Sequence, residues 1–140
     1  MKLFLKKKGP FQLSALLITL LIMSNLGAAE KGAEIEYVQI EPIIVTNYQK
    51  KSSKKPGFVQ ISAQLTVKGS KSVSKLLDHM PLVRDYIIEF LSFTDESIIK
   101  DVTKRRELRA SLSAGIKATL TKHLGEPLIE ELIITHFMWD

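Results

Sequence analysis

The sequence predicts an α+β domain, with a small antiparallel or mixed sheet carrying helices on one face in the order β-β-α-α-α-β. Three observations predict it. Val59, Ile61, Ala63, Leu65 and Val67 alternate with Gln60, Ser62, Gln64 and Thr66, giving one strand an apolar and a polar face. From Val73 onward the apolar spacing changes to three and four residues, the period of helices. A last apolar run, Leu128 to Trp139, returns to strand chemistry.

The chain divides into a signal or anchor segment (1–29), a short polar tether (30–36) and a domain (37–140). The first segment holds Lys2, Lys6, Lys7 and Lys8, no acid, and then no charge from Gly9 to Ala29. Its apolar centre contains Leu13, Leu16, Leu17, Ile18, Leu20, Leu21 and Ile22, and Gly27-Ala28-Ala29 ends it with small residues. This is the make-up of a membrane-targeting segment. The lysines stay on the cytoplasmic side, so everything from Glu30 onward is expected across the membrane. As a helix at about 1.5 Å per residue, the uncharged stretch reaches roughly 31 Å, just enough for a hydrocarbon core of about 30 Å. Its densest apolar part, Leu13 to Met23, has instead the length of a signal-peptide core. Both a cleaved signal and an uncleaved anchor fit.

The domain's first strand runs Tyr37-Val38-Gln39-Ile40 and continues at Ile43-Ile44-Val45. Pro42 between them cannot donate to a ladder, which suggests a sheet edge or a bulge. The loop from Gln49 to Gly57 carries four lysines and ends in a Pro-Gly turn signal. Solvated charge that discourages edge association accounts for these lysines; anionic headgroups or an acidic partner are the functional alternative. The alternating second strand follows, with Phe58 out of step. A stripe of Val73, Leu76, Leu77, Met80, Val83, Ile87, Phe90 and Leu91 then passes through Pro81. It predicts one bent helix, or a short helix that breaks at His79-Met80 and restarts at Pro81. Thr94 is expected to cap a short helix from Asp95 to Lys100. Thr103 is expected to cap a longer one to about His123, striped by Leu108, Leu112, Ile116 and Leu120 and ended by Gly125 and Pro127. The last strand carries apolar groups on both faces, which suggests the middle of the sheet or cover on both sides.

Composition narrows the function. The chain has 20 basic and 15 acidic residues, but four of the bases and none of the acids lie in the first 29. The remainder is nearly neutral, so a nucleic-acid partner has no charge basis. The chain has no cysteine, and no disulfide or thiolate site follows. His79, His123 and His136 are far apart and lack metal-site spacing; His123-Leu124-Gly125-Glu126 is a lone His-x-x-Glu at a helix end. Glu130 and Glu131 are adjacent on an expected strand, whose alternation is expected to point them to opposite faces. No phosphate loop or nucleophile elbow is present. The reading is a protein without catalytic, cofactor or metal residues.

Tyr37, Pro42 and Val45-Thr46-Asn47-Tyr48, the alternating strand, and the block Pro81-Leu82-Val83-Arg84-Asp85-Tyr86-Ile87-Ile88-Glu89-Phe90-Leu91-Ser92 carry a resemblance. Together with Glu107-Leu108-Arg109 and Thr135-His136-Phe137, the chain resembles the FliL family of bacterial flagellar basal-body proteins over most of its length. The resemblance implies a stomatin/SPFH-like fold and an inner-membrane protein whose domain faces the periplasm at the flagellar basal body, or a soluble periplasmic one if residues 1–29 are cleaved. It implies binding rather than catalysis: association with the MotA–MotB stator, ring-like self-assembly and support of rotation, torque and motility. Lys104-Arg105-Arg106 and Lys117 depart from the family pattern, which leaves FliL proper and a FliL-like paralogue both open.

Candidate contact residues come from the sequence itself. Arg84 and Asp85 fall off the apolar stripe, and Arg105, Arg106 and Arg109 cluster at the start of the long helix. Ordinary solvated helix charge or an intrachain ion pair, contributing about 0–1 kcal/mol, is their bland alternative. A membrane-tethered periplasmic scaffold of a non-flagellar envelope complex would share the same layout. A periplasmic enzyme would need an organised polar site near one of the histidines.

Overall fold

The computed structural model describes residues 32–51 and 53–140, and residues 33–140 form one compact unit. The expected membrane segment lies outside the described residues. Among those described, no helix is long and apolar enough to cross a membrane.

The alternating run is the centre of the sheet. Strand β3 (Gly57–Lys68) pairs antiparallel with β1 (Ile35–Gln39), β2 (Ile44–Tyr48) and β4 (Ile129–Trp139). β1 meets Gln64 to Lys68 and β2 meets Gly57 to Ile61, so the two share one edge of β3 while β4 runs along the other. The step from Gln39↔Gln64 to Ile44↔Ile61 uses five residues against three. The first strand is therefore interrupted at Pro42, whose missing N–H the ladder does not need there. β1 begins at Ile35, so Ile35 and Glu36 are strand rather than tether.

Val59, Ile61, Ala63, Leu65 and Val67 are buried under the helices; Gln60, Ser62 and Gln64 on the opposite face are partly exposed. The sequence suggests β4 near the middle of the sheet or covered on both faces; it is an outer strand, paired only with β3 among the described residues. Two bulges explain its apolar runs. They fall opposite Ser62/Ala63 and Thr66/Val67 and shift the alternation. Ile129, Leu132, Ile134, Phe137 and Trp139 consequently all oppose core-side residues of β3, while Ile133 and Met138 oppose Gln64 and Gln60.

Helix α1 (Ser70–Asp78) stops at His79 and α2 (Met80–Ser92) restarts there, with Pro81 in its first turn. A proline at that position forfeits no helical hydrogen bond. The stripe is buried at Leu76, Met80, Val83, Ile87 and Leu91, but Leu77 is 53% exposed. Leu77 lies in the last turn before the break, off the face of α1 that buries Leu76. Two expected caps also move. Asp95, not Thr94, caps α3 (Glu96–Ile99) by accepting from the Ser97 N–H at 2.9 Å, while the Thr94 hydroxyl donates to the Phe90 carbonyl. Asp101 caps the 3₁₀ turn Val102–Lys104 by accepting from the Thr103 N–H, and α4 (Arg105–Leu124) grows from that turn. In both cases a carboxylate one or two residues away outcompetes the threonine as acceptor. Gly125 ends α4 in the left-handed conformation at φ 79°.

Leu108, Leu112, Ile116 and Leu120 of α4 are all buried, and the core joins them to α2 and the sheet. A Cβ on Gly115 would fall within 1.6 Å of the Tyr86 hydroxyl, so this glycine lets α2 and α4 approach. In the lysine loop, Lys51 pairs with Asp95 at 2.6 Å. That ammonium and the Ser97 N–H hold the Asp95 carboxyl at about 2.

Candidate functional site

Helical periodicity decides where the candidate residues go. On α4 the leucine stripe faces the core, and Arg105, Arg109, Ser113 and Lys117 at four-residue steps make another row along the helix. This row borders β4. Arg105, Arg106 and Arg109 line a hollow of about 290 Å³ whose other wall is residues 134–137. Arg109 also lines a neighbouring hollow of about 320 Å³ with Ser113, Lys117 and residues 130–132.

The three arginines have different neighbours. The Arg105 guanidinium stacks 3.5 Å from the Phe137 ring centroid and 5.4 Å from that of Trp139, and its Nη2 donates to the Ile99 carbonyl at 3.0 Å. Burial disfavours its charged form, and Nη1 has no hydrogen-bond partner among the described residues. Arg109 Nη1 lies 2.7 Å from a Glu131 carboxylate oxygen, and both side chains are well exposed. Such a pair contributes about 0–1 kcal/mol. Arg106 is exposed and has no ion pair among the described residues.

The Arg84–Asp85 pair resolves differently. Arg84 Nη1 donates to the Pro42 carbonyl, tying α2 to the interruption between β1 and β2. Asp85 is exposed beside it, without an ion pair among the described residues. Arg84 and Asp85 are thus not paired with each other, and neither lines the arginine hollow. The two candidate surfaces remain separate.

The histidines are not brought together. The Nδ1 atoms of His79 and His123 lie within hydrogen-bond reach of the Lys75 and Thr119 carbonyls, each four residues earlier in the chain. Glu126 pairs with Lys75, not with His123. Among the described residues no group of three His, Asp or Glu side chains could hold a metal ion. His136 does line the arginine hollow, beside Thr135, whose hydroxyl donates to the Ser62 carbonyl. A separate hollow of about 510 Å³ between α2, α3 and α4 is lined by Phe90, Phe93, Ile98 and Leu108, with Asp95, Lys104 and Glu107 among its polar groups.

Sequence reasoning found the arginine cluster but not its second wall. Hydropathy does not say whether an apolar strand is central or at an edge, so β4 gave no sign of flanking the arginines. The row Arg105, Arg109, Ser113, Lys117 was readable from four-residue spacing.

The fold is that of a small α+β domain with charged surfaces on α2 and α4. The family described as flagellar basal body-associated protein FliL matches residues 37–139. The chain belongs to the FliL family, and with it to the structural and accessory proteins of the flagellar basal body. A comparison with curated proteins finds no match.

Proposed function

We propose that this chain is a non-enzymatic inner-membrane protein of the flagellar basal body, with a periplasmic domain that assembles with copies of itself around a MotA–MotB-type stator and supports rotation and torque. The family match over residues 37–139 is the observation that carries this reading. The basic-then-apolar segment 1–29 supports the membrane placement. A stomatin-like arrangement of the domain belongs to the same reading.

The mechanism is differential binding. A ring that favours the engaged stator must bind it more tightly than the free one, and each tenfold preference corresponds to about 1.4 kcal/mol. Asp85 on α2 and Arg106 on α4, exposed and without an ion pair among the described residues, are suited to that contact. Arg84 is less suited, because its guanidinium already holds the Pro42 carbonyl.

Deleting the gene is expected to leave filaments assembled and to impair swimming most in viscous medium, where load is highest. A tagged chain is expected to gather at flagellar bases and to disperse when the stator is removed. Asp85→Lys should weaken motility while leaving the melting of the domain unchanged. An alkaline phosphatase fused after Lys31 should be active. Normal swimming of the deletion strain at high viscosity, with the tagged chain diffuse, would overturn the stator reading.

A further inference from the structure

β4 pairs with β3 alone among the described residues, so its other edge presents backbone N–H and C=O groups. α4 lies beside it, and the two hollows that meet at Arg109 run between helix and strand. The helix wall combines small residues with cations. Ala110, Ser113 and Ala114 leave room for another backbone next to the strand. Arg105, Arg106, Arg109 and Lys117 supply positive charge along the same wall.

The acids of the opposite wall are already engaged. Glu131 pairs with Arg109 at 2.7 Å, and Glu130 pairs with Lys68 at 3.3 Å. Arg106 and Lys117 have no ion pair among the described residues. The groove therefore keeps a net positive charge.

We propose that this groove receives an extended acidic segment of a partner protein, added as a strand to the β4 edge with its carboxylates against Arg105, Arg106 and Arg109. Spacing favours this occupant. Residues four apart on a helix advance about 6 Å, and alternate residues of a strand advance about 6.6 Å. A strand with acids at every second position therefore keeps step with Arg105 and Arg109. Backbone pairing supplies affinity and the carboxylate–guanidinium bonds select the sequence. A compact anion such as phosphate could meet the arginines but could not use the strand edge. The inference goes beyond the stator reading and stands on the groove whichever protein supplies the segment.

Trp139, the chain's single tryptophan, stands beside Phe137 and Arg105 and serves as the reporter. The purified full-length chain is titrated with a short blocked peptide of alternating glutamate and threonine, following Trp139 fluorescence and amide exchange of β4. Saturable binding is expected, with slower exchange at residues 130–137. The affinity should fall about tenfold or more in the Arg106→Gln/Arg109→Gln double variant, and at raised salt. The matching glutamine–threonine peptide should bind far more weakly. Ala114→Phe, which fills the groove and leaves every charge in place, should block binding while circular dichroism reports an unchanged fold. No binding of the glutamate peptide at millimolar concentration would overturn the proposal. So would binding by both variants as tight as that of the unmodified chain, or a phosphate response without a peptide response. Self-association that the groove variants abolish and the peptide does not compete with would assign the groove to a second copy of this chain instead. Because the readout is binding in solution, its failure is separate from a failure of the motility experiment.

Discussion

Leu112→Ala is expected to lower the stability of the domain by about 2–5 kcal/mol. Leu112 is fully buried midway along α4, between Leu108 and Ile116 of the same stripe, and it belongs to the core that joins the helices to the sheet. Truncation removes the transfer energy of the lost carbons and leaves a cavity that a helix fixed on both sides closes only in part. For a domain of this size the loss is a large share of a total stability of about 5–15 kcal/mol. Leu77→Ala is the matched control. It removes the same atoms from a side chain 53% exposed at the break between α1 and α2, and a change within about 0.5 kcal/mol is expected. Urea unfolding of residues 30–140, followed by circular dichroism and Trp139 fluorescence, measures both. Equal shifts for the two variants would show that the core face of α4 is misplaced.

These two leucines also mark how far the sequence could be read. Both sit in runs with helical spacing, and periodicity places Leu112 correctly because α4 is long, regular and closed by Gly125. Leu77 lies one residue before Asp78, the last residue of α1, where the phase of the stripe resets at His79 and Pro81. Periodicity identifies a face only while the helix stays unbroken. The same logic holds in the sheet. β3 is unbulged in its own apolar order and its alternation reads cleanly, whereas the two bulges in the pairing with β4 turn a one-sided pattern into an apparently two-sided one. The caps failed for a local reason: Thr94 stands next to Asp95 and Thr103 two residues from Asp101. Acceptors that close are distinguished by backbone geometry, not by residue type.

The candidate site divides along the same line. Residues on one helix could be grouped from sequence, which is how Arg105, Arg106 and Arg109 came together. What they face depends on contacts between distant segments. The Arg105 stack on Phe137, the Arg109 pair with Glu131 and the Arg84 bond to the Pro42 carbonyl each join different elements. No local pattern encodes them.

A join between still more distant segments, Tyr48 and Asp140, carries the other large effect. Tyr48 and Gly57 are directly opposite each other on β2 and β3, and the Tyr48 ring lies over the glycine. The ring is 0% exposed, and its hydroxyl donates to the Asp140 carbonyl at 2.7 Å. Asp140 is held in turn by two hydrogen bonds with the Phe58 backbone, one from its own N–H at 3.1 Å and one to its carboxylate at 2.8 Å. Tyr48→Ala should therefore cost about 3–5 kcal/mol, the range for loss of a buried aromatic. A Cβ at position 57 would come within 2.2–2.5 Å of three atoms of that side chain. The ring is anchored at its far end and cannot swing away, so Gly57→Ala should cost about 1–3 kcal/mol as overpacking. The double variant decides whether the two costs share one cause. With the ring gone the added methyl meets no clash and fills part of the space, so the combined loss should fall short of the sum by about 1 kcal/mol or more. Tyr48→Phe, which keeps the ring and gives up the hydroxyl's bonds to Asp140 and the Lys100 side chain, should lose about 0.5–1.5 kcal/mol and leave the penalty at Gly57 in place. Additive losses within about 0.5 kcal/mol in the Tyr48→Ala/Gly57→Ala cycle, measured by the same urea melts, would mean that the ring does not rest on Gly57.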